Sequence, residues 1–155
     1  MNFKIPSGRG DIKTVKKFKK IFRLVDESYN ANPLSMSSAI ENMNYYQVKK
    51  KSKKLAFLGD MLELGDKSKK FHKDLSSQIN KSDIDKIFVY GKHIKETFKS
   101  ISRSKKGKIF TNLKEVHDHF SNIINNNDLL MVKGSNATGL SQFSKNIKKG
   151  QTSAL

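Results

Sequence analysis

The side chains best suited to chemistry lie in short polar stretches, each placed just after an apolar run. In VDESYNANPLSM, Val25 to Met36, the residues Asp26, Glu27, Asn30 and Asn32 stand between a strand-like segment and Pro33. So many polar side chains where a strand stops make either an ordinary turn or a place where something binds. In LGDMLELGD, Asp60, Glu63 and Asp66 follow a second apolar run, with His72 further on. Those acids can hold Mg²⁺ through water, or act as N-cap and first-turn acids of the next helix; the cap is the simpler reading. His72 reads as a surface or core-edge histidine. In VKGSN, Lys133 precedes Gly134 and Ser135, a combination compatible with an anion. Gly8-Arg9-Gly10 is either a flexible elbow or an arm that brings a planar cation to a phosphate or ribose edge.

Several chemistries are excluded. There is no cysteine, so neither a disulfide framework nor a thiolate zinc site exists. His117 and His119 are spaced i, i+2, which points them to different faces of a helix, and no metal site is expected from them. The patterns GxxxxGK[ST], GxGxxG after a strand, and GxSxG are all missing. No residue is therefore assigned a catalytic role.

The charge balance is 31 Lys+Arg against 14 Asp+Glu, a formal +17. Arginine occurs only at Arg9, Arg23 and Arg103, whereas base readout and bidentate phosphate recognition favour arginine. The lysines are spread over the helical segments, and KKFKK and KKKSKK flank strands, so they read as solvated faces. No specific nucleic-acid partner is expected, only weak attraction to polyanions at low salt. No apolar run approaches the roughly 20 residues of a membrane span, and the start lacks a signal-like apolar region. A cytoplasmic location is expected.

These groups must be positioned by the elements between them. With 155 residues, 35% of them hydrophobic, the chain suits one domain with a real core. Strand-like runs fall at 22–28, 54–61, 86–91, 108–112 and 128–135. Helical spacing separates them, with Met36, Ala39, Ile40 and Met43 on one face, then Phe71, Leu75 and Ile79, then Leu113, Val116, Phe120 and Ile123. A last helix follows Gly139. Alternating strands and helices predict an α/β fold, a mostly parallel sheet of five or six strands with helices on both faces. The carboxyl ends of the strands then share one edge, where ligands bind in such sheets. Residues 1–20 read as a linker arm with a possible short strand, 21–150 as the domain, and 151–155 as a frayed tail.

The segments VDESYNANPLSMSSAIE, LAFLGDMLELGDKSKKFH, VYGKHI and LLMVKGSNATGL, in this order, resemble the C-terminal domain of the Mur ligase family. The resemblance is to the branch that adds D-Ala-D-Ala to UDP-MurNAc-tripeptide in peptidoglycan precursor synthesis, and it runs from Gly8-Arg9 to the last helix. It implies a Rossmann-like fold that closes over a central P-loop ATPase domain. That central domain and an N-terminal UDP-sugar domain are the implied partners. ATP and Mg²⁺ are the implied cofactors, bound mainly by the central domain. Arg9, Asp26, Glu27, Asn30 and Asn32 are the implied nucleotide contacts. Asp60, Glu63, His72, Lys133 and Ser135 are implied to shape the rim or position the dipeptide. The family's basic residue after KGS is here replaced by Asn136. By itself the chain is expected to be inactive in ligation; the alternative is a non-catalytic module that binds a nucleotide or a partner.

Overall fold

Alternating apolar residues along the strands feed two cores, one on each face of a single sheet. The computed structural model describes residues 11–152, so Arg9 and its flanking glycines lie outside the described residues, as does the end of the tail. The strands are β1 (Asp11–Lys17), β2 (Lys20–Glu27), β3 (Lys54–Gly59), β4 (Lys86–Tyr90), β5 (Lys106–Phe110) and β6 (Leu129–Lys133). The helices are α1 (Pro33–Met43), α2 (Ser68–Lys81), α3 (Lys95–Ser100), α4 (Lys114–Ile123) and α5 (Leu140–Thr152). The sheet runs β1-β2-β6-β3-β4-β5. β1 pairs antiparallel with β2, and every other pairing is parallel. This is the expected α/β architecture with six strands, the sixth coming from within the first twenty residues.

The period of two is visible in β3 and β6. Ala56, Leu58, Leu129 and Met131 join Met36, Ile40, Leu75 and Ile79 of α1 and α2. Leu55, Phe57, Leu130 and Val132 join Val116 and Phe120 of α4 and Leu140, Phe143 and Ile147 of α5. Both β3 and β6 are buried along their whole length, which is why they read as continuous apolar runs rather than alternating ones. Phe120 sits at the centre of an aromatic cluster, with ring centroids 4.9 Å from Phe88 and 5.5 Å from Phe57.

The helical faces fall largely as expected, and Met36, Ala39, Ile40 and Met43 are all buried. Leu113 is a correction. It precedes α4 and is exposed, its side chain lying over Gly139, where a Cβ would come within 2.8 Å of the Leu113 Cδ1. Among the described residues no helix is long and apolar enough to cross a membrane.

Candidate functional site

The parallel registers place the polar stretches on one edge. Glu27 lies opposite Lys133, Lys133 opposite Leu58, Gly59 opposite Tyr90, and Tyr90 opposite Phe110. The segments that follow these residues therefore form one rim at the carboxyl ends of the strands. The helix after β6 belongs to one face of the sheet, while those after β2 and β3 belong to the other. Neighbouring chains thus diverge there, as they do where open α/β sheets take ligands.

The stretch after β2 is largely held by its own side chains. Asn32 is the N-cap of α1: its Oδ1 accepts from Ser35 N–H at 2.8 Å, and Ser35 Oγ accepts from Asn32 N–H at 3.0 Å. Pro33 follows in the first turn, where its missing N–H costs nothing. Asn30 Oδ1 accepts from Ala31 N–H at 2.8 Å. Asp26 is buried; Oδ1 accepts from Ser28 N–H at 3.0 Å, and Oδ2 meets Lys148 Nζ of α5 at 2.5 Å. The carboxylate that the sequence offered to a ribose is thus engaged within the fold. Glu27, next to it, is half-buried at the end of β2.

Lys133 is also buried, and its ammonium donates to the Asn30 carbonyl at 2.7 Å. Burial lowers its pKa below the ordinary lysine value, opposed by the negative charge of Glu27. Rather than standing on the rim as an anion contact, Lys133 pins the Asn30 loop to the end of β6. Ser135 Oγ is different: it is buried, and it has no hydrogen-bond partner among the described residues. Buried hydroxyls are normally paired.

The stretch after β3 corrects the sequence reading. Asp60 does not cap α2, whose N-cap Lys67 makes no side-chain cap bond and whose first turn carries no acid. Instead Asp60 reaches the turn before α3. Its Oδ1 accepts from His93 N–H at 2.9 Å and Ile94 N–H at 2.8 Å, and its Oδ2 from Lys92 N–H at 3.1 Å. Gly91 has φ 146°, and a Cβ there would lie 2.4 Å from Asp60 Oδ1. Glycine is needed at Gly91 to admit this carboxylate, not a ligand. Similarly, Gly59 and Gly134 let the start of α5 approach, with Leu140 and Thr138 near 3.1 Å from their built Cβ positions. Glu63 and Asp66 are exposed, Glu63 with a left-handed φ of 63°.

His72, read as a surface or core-edge histidine, has no exposed surface. Its Nε2 accepts from Met61 N–H at 3.0 Å, so Nδ1 carries the proton and donates to the Ser68 carbonyl at 2.7 Å. Burial holds its pKa below the ordinary value. Its role is to fix the backbone after β3. Nothing in the i, i+4 pattern of α2 separates such a histidine from an exposed one, because its partner backbone comes from outside the helix.

An open cleft of about 510 Å³ lies over the β3–β5 half of the rim. Its lining includes Asp60, Tyr90, Lys92, Lys95, Thr111 and Thr138. Tyr90, Lys95 and Thr138 are not singled out by the sequence as site residues, since each belongs to an element end and meets the others only through strand order. Asp26, Glu27, Asn30 and Asn32 do not line this cleft; they occupy the β2–β6 half. Exposed apolar side chains also stand at this edge: Tyr29 and Leu34 beside β2, Leu62 after β3 and Leu113 after β5. Among the described residues no cluster of three or more His, Asp or Glu is placed to hold a metal ion.

A family model described as Mur ligase, glutamate ligase domain, matches residues 12–136. The chain belongs to the Mur ligase family. The UDP-N-acetylmuramoyl-tripeptide–D-alanyl-D-alanine ligase of Rickettsia prowazekii is 28% identical over 139 residues, which take in 90% of this chain and 29% of that protein. The ligase of the same name from Buchnera aphidicola subsp. Acyrthosiphon pisum is 33% identical over 131 residues, 81% of this chain and 27% of its own. The MurF ligase of Thermotoga maritima, solved in complex with ADP, superposes with a TM-score of 0.77 at 22% identity over 99% of this chain and 33% of that one. That likeness concerns the fold. This Mur ligase domain spans less than a third of the length of these curated relatives.

Proposed function

We propose that this Mur ligase domain acts as the C-terminal lid of an ATP-dependent ligase that adds D-Ala-D-Ala to UDP-MurNAc-tripeptide. Its names come from the relatives above; its support in this chain is the single rim that carries two different surfaces. The β2–β6 half offers Glu27, the Asn30 amide and the unpaired Ser135 hydroxyl as contacts for a nucleotide. Asp26 and Asn32 hold that half in shape. The β3–β5 half offers a basic cleft with Lys92 and Lys95, suited to an acid-bearing substrate such as the incoming dipeptide. The apolar residues beside the two halves suit closure on another domain.

In such a ligase ATP activates the tripeptide carboxylate as an acyl phosphate. The dipeptide amine attacks it, and the tetrahedral intermediate expels phosphate. The phosphate-binding and metal-holding groups would come from a P-loop domain supplied by another segment. This domain would orient the nucleotide and dipeptide and exclude water as it closes. Arg9 would join the nucleotide contacts from the hinge.

The observation that carries the reading is the register placing Glu27, Lys133, Gly59 and Tyr90 side by side at one edge. The test mixes the purified 155-residue chain with a relative's ligase cut to remove its C-terminal domain. Phosphate release requiring ATP, tripeptide precursor and dipeptide is expected from the mixture and from neither part. Ligation by the isolated chain, or a mixture no more active than its parts, would overturn the proposal.

A further inference from the structure

The fold brings the lysine run 49–53 beside the β1–β2 turn, at the edge opposite the rim. There the β1–β2 hairpin turn presents Lys19, and the loop between α1 and β3 presents Lys49, Lys50, Lys51 and Lys53, all exposed. Hydrogen bonds join these segments into one surface. The Arg23 guanidinium donates to the Gln47 carbonyl, and Asn127 N–H donates to the Ile21 carbonyl at 2.8 Å. Lys53 N–H donates to Asp128 Oδ1 at 2.9 Å. Three acids near this edge are held within the fold: Asp128 by Lys53 and Asn125 N–H, Asp83 by the ammonium of buried Lys54 at 2.7 Å, and Asp85 by the Lys54 N–H at 2.8 Å. Lys19 and Lys51 hold left-handed backbone, with φ of 61° and 73°, where glycine would be less strained.

Two apolar side chains stand out of this basic surface: Tyr45 is 74% exposed and Ile21 51% exposed. Either alone would be ordinary. Together, among lysines, they match an interfacial anchor, with apolar tips at headgroup depth and ammonium groups meeting lipid phosphates. We propose that this edge docks the domain on an anionic phospholipid surface. Single-stranded nucleic acid fits less well, since it is held by successive aromatic platforms, and Ile21 offers no face on which a base can stack. Docked this way, the rim at the opposite edge would point away from the lipid, leaving it accessible.

The test is co-sedimentation of the full chain with phosphatidylglycerol/phosphatidylcholine vesicles and with phosphatidylcholine alone. Binding to the anionic vesicles only is expected. Lys49→Gln/Lys50→Gln/Lys51→Gln/Lys53→Gln should weaken it roughly a hundredfold, since each lysine near such a surface contributes about fivefold before screening. Tyr45→Ala should weaken it several-fold (roughly threefold to tenfold) while leaving its salt dependence unchanged. A control with the same charge change on α2, Lys67→Gln/Lys69→Gln/Lys70→Gln/Lys73→Gln, should bind within about twofold of the unaltered chain. Thermal melts verify that each variant is folded. Equal loss in the α2 control, equal binding to neutral vesicles, or a single-stranded oligonucleotide that displaces the chain from vesicles at matched phosphate concentration would overturn the proposal.

Discussion

Lys133 and Asn30, distant in sequence, meet at 2.7 Å, the ammonium of one on the main-chain carbonyl of the other. This bond fixes the segment that carries the Asn30 amide to the end of a central strand. Lys133→Met keeps the apolar stem and deletes the donor. Hydrogen exchange at the amides of Tyr29–Asn32 should quicken by roughly tenfold, with global stability changed by no more than about 1 kcal/mol. Unaltered exchange in that segment would show that the bond is not what holds it.

Adjacent carboxylates on β2 should separate in function. Asp26→Asn keeps an acceptor for Ser28 N–H but removes the buried charge paired with Lys148, and should cost about 3 kcal/mol in urea unfolding. Glu27→Gln should cost under about 1 kcal/mol, yet raise the KM for ATP in a reconstituted ligase. The reverse ordering would return the nucleotide contact to Asp26.

Asp60 stabilises the turn before α3 through three backbone N–H groups. Asp60→Ala strands those donors and should destabilise by roughly 3 kcal/mol; Asp60→Asn, which keeps an acceptor, should lose less. Gly91→Ala should be about as damaging as Asp60→Ala, because its Cβ would need the space of the same carboxylate. A mild Gly91→Ala effect would mean that the turn relaxes easily.

Stability should fall as pH drops through the ordinary histidine range. His72 is held neutral by burial, so its folded pKa lies below about 6.5, the unfolded value. Below that value the unfolded chain binds more protons than the folded one, and protonation drains the native state. The melting temperature should be flat above about pH 7 and decline below about pH 6.5, apart from changes due to carboxylates at lower pH. His72→Gln should be less stable at neutral pH but lose the part of the decline nearest pH 6. A profile identical in slope to the unaltered chain would remove His72 as its source.

Among the described residues, the buried hydroxyls of Ser135 on the rim and Ser144 in α5 lack partners. Replacing either by alanine should raise stability by about 1 kcal/mol, since no bond is lost and a desolvated hydroxyl is removed. Only Ser135→Ala should also weaken nucleotide affinity in the reconstituted ligase, by roughly fivefold to tenfold. An equal loss with Ser144→Ala would point to a general effect on the domain instead.

The sequence by itself determined the alternation of elements, because the period of two in β2 and the period of 3.6 in α1 are local properties of neighbouring side chains. It also determined that polar groups follow the strands, and hence a rim. It did not determine what each polar group does there. Asp60 looked like the cap of the helix that follows and caps a turn further along, because strand order brings β4 beside β3. Lys133 looked available to an anion and is buried against Asn30, while Asp26 is met by a lysine from the far end of the chain. The hairpin turn with Lys19 and the lysine run 49–53, far apart in the sequence, meet at the edge opposite the rim, since parallel strands all begin on the same side. Local pattern sets which elements form; only their packing decides which charges meet, which are satisfied and which are left facing outward.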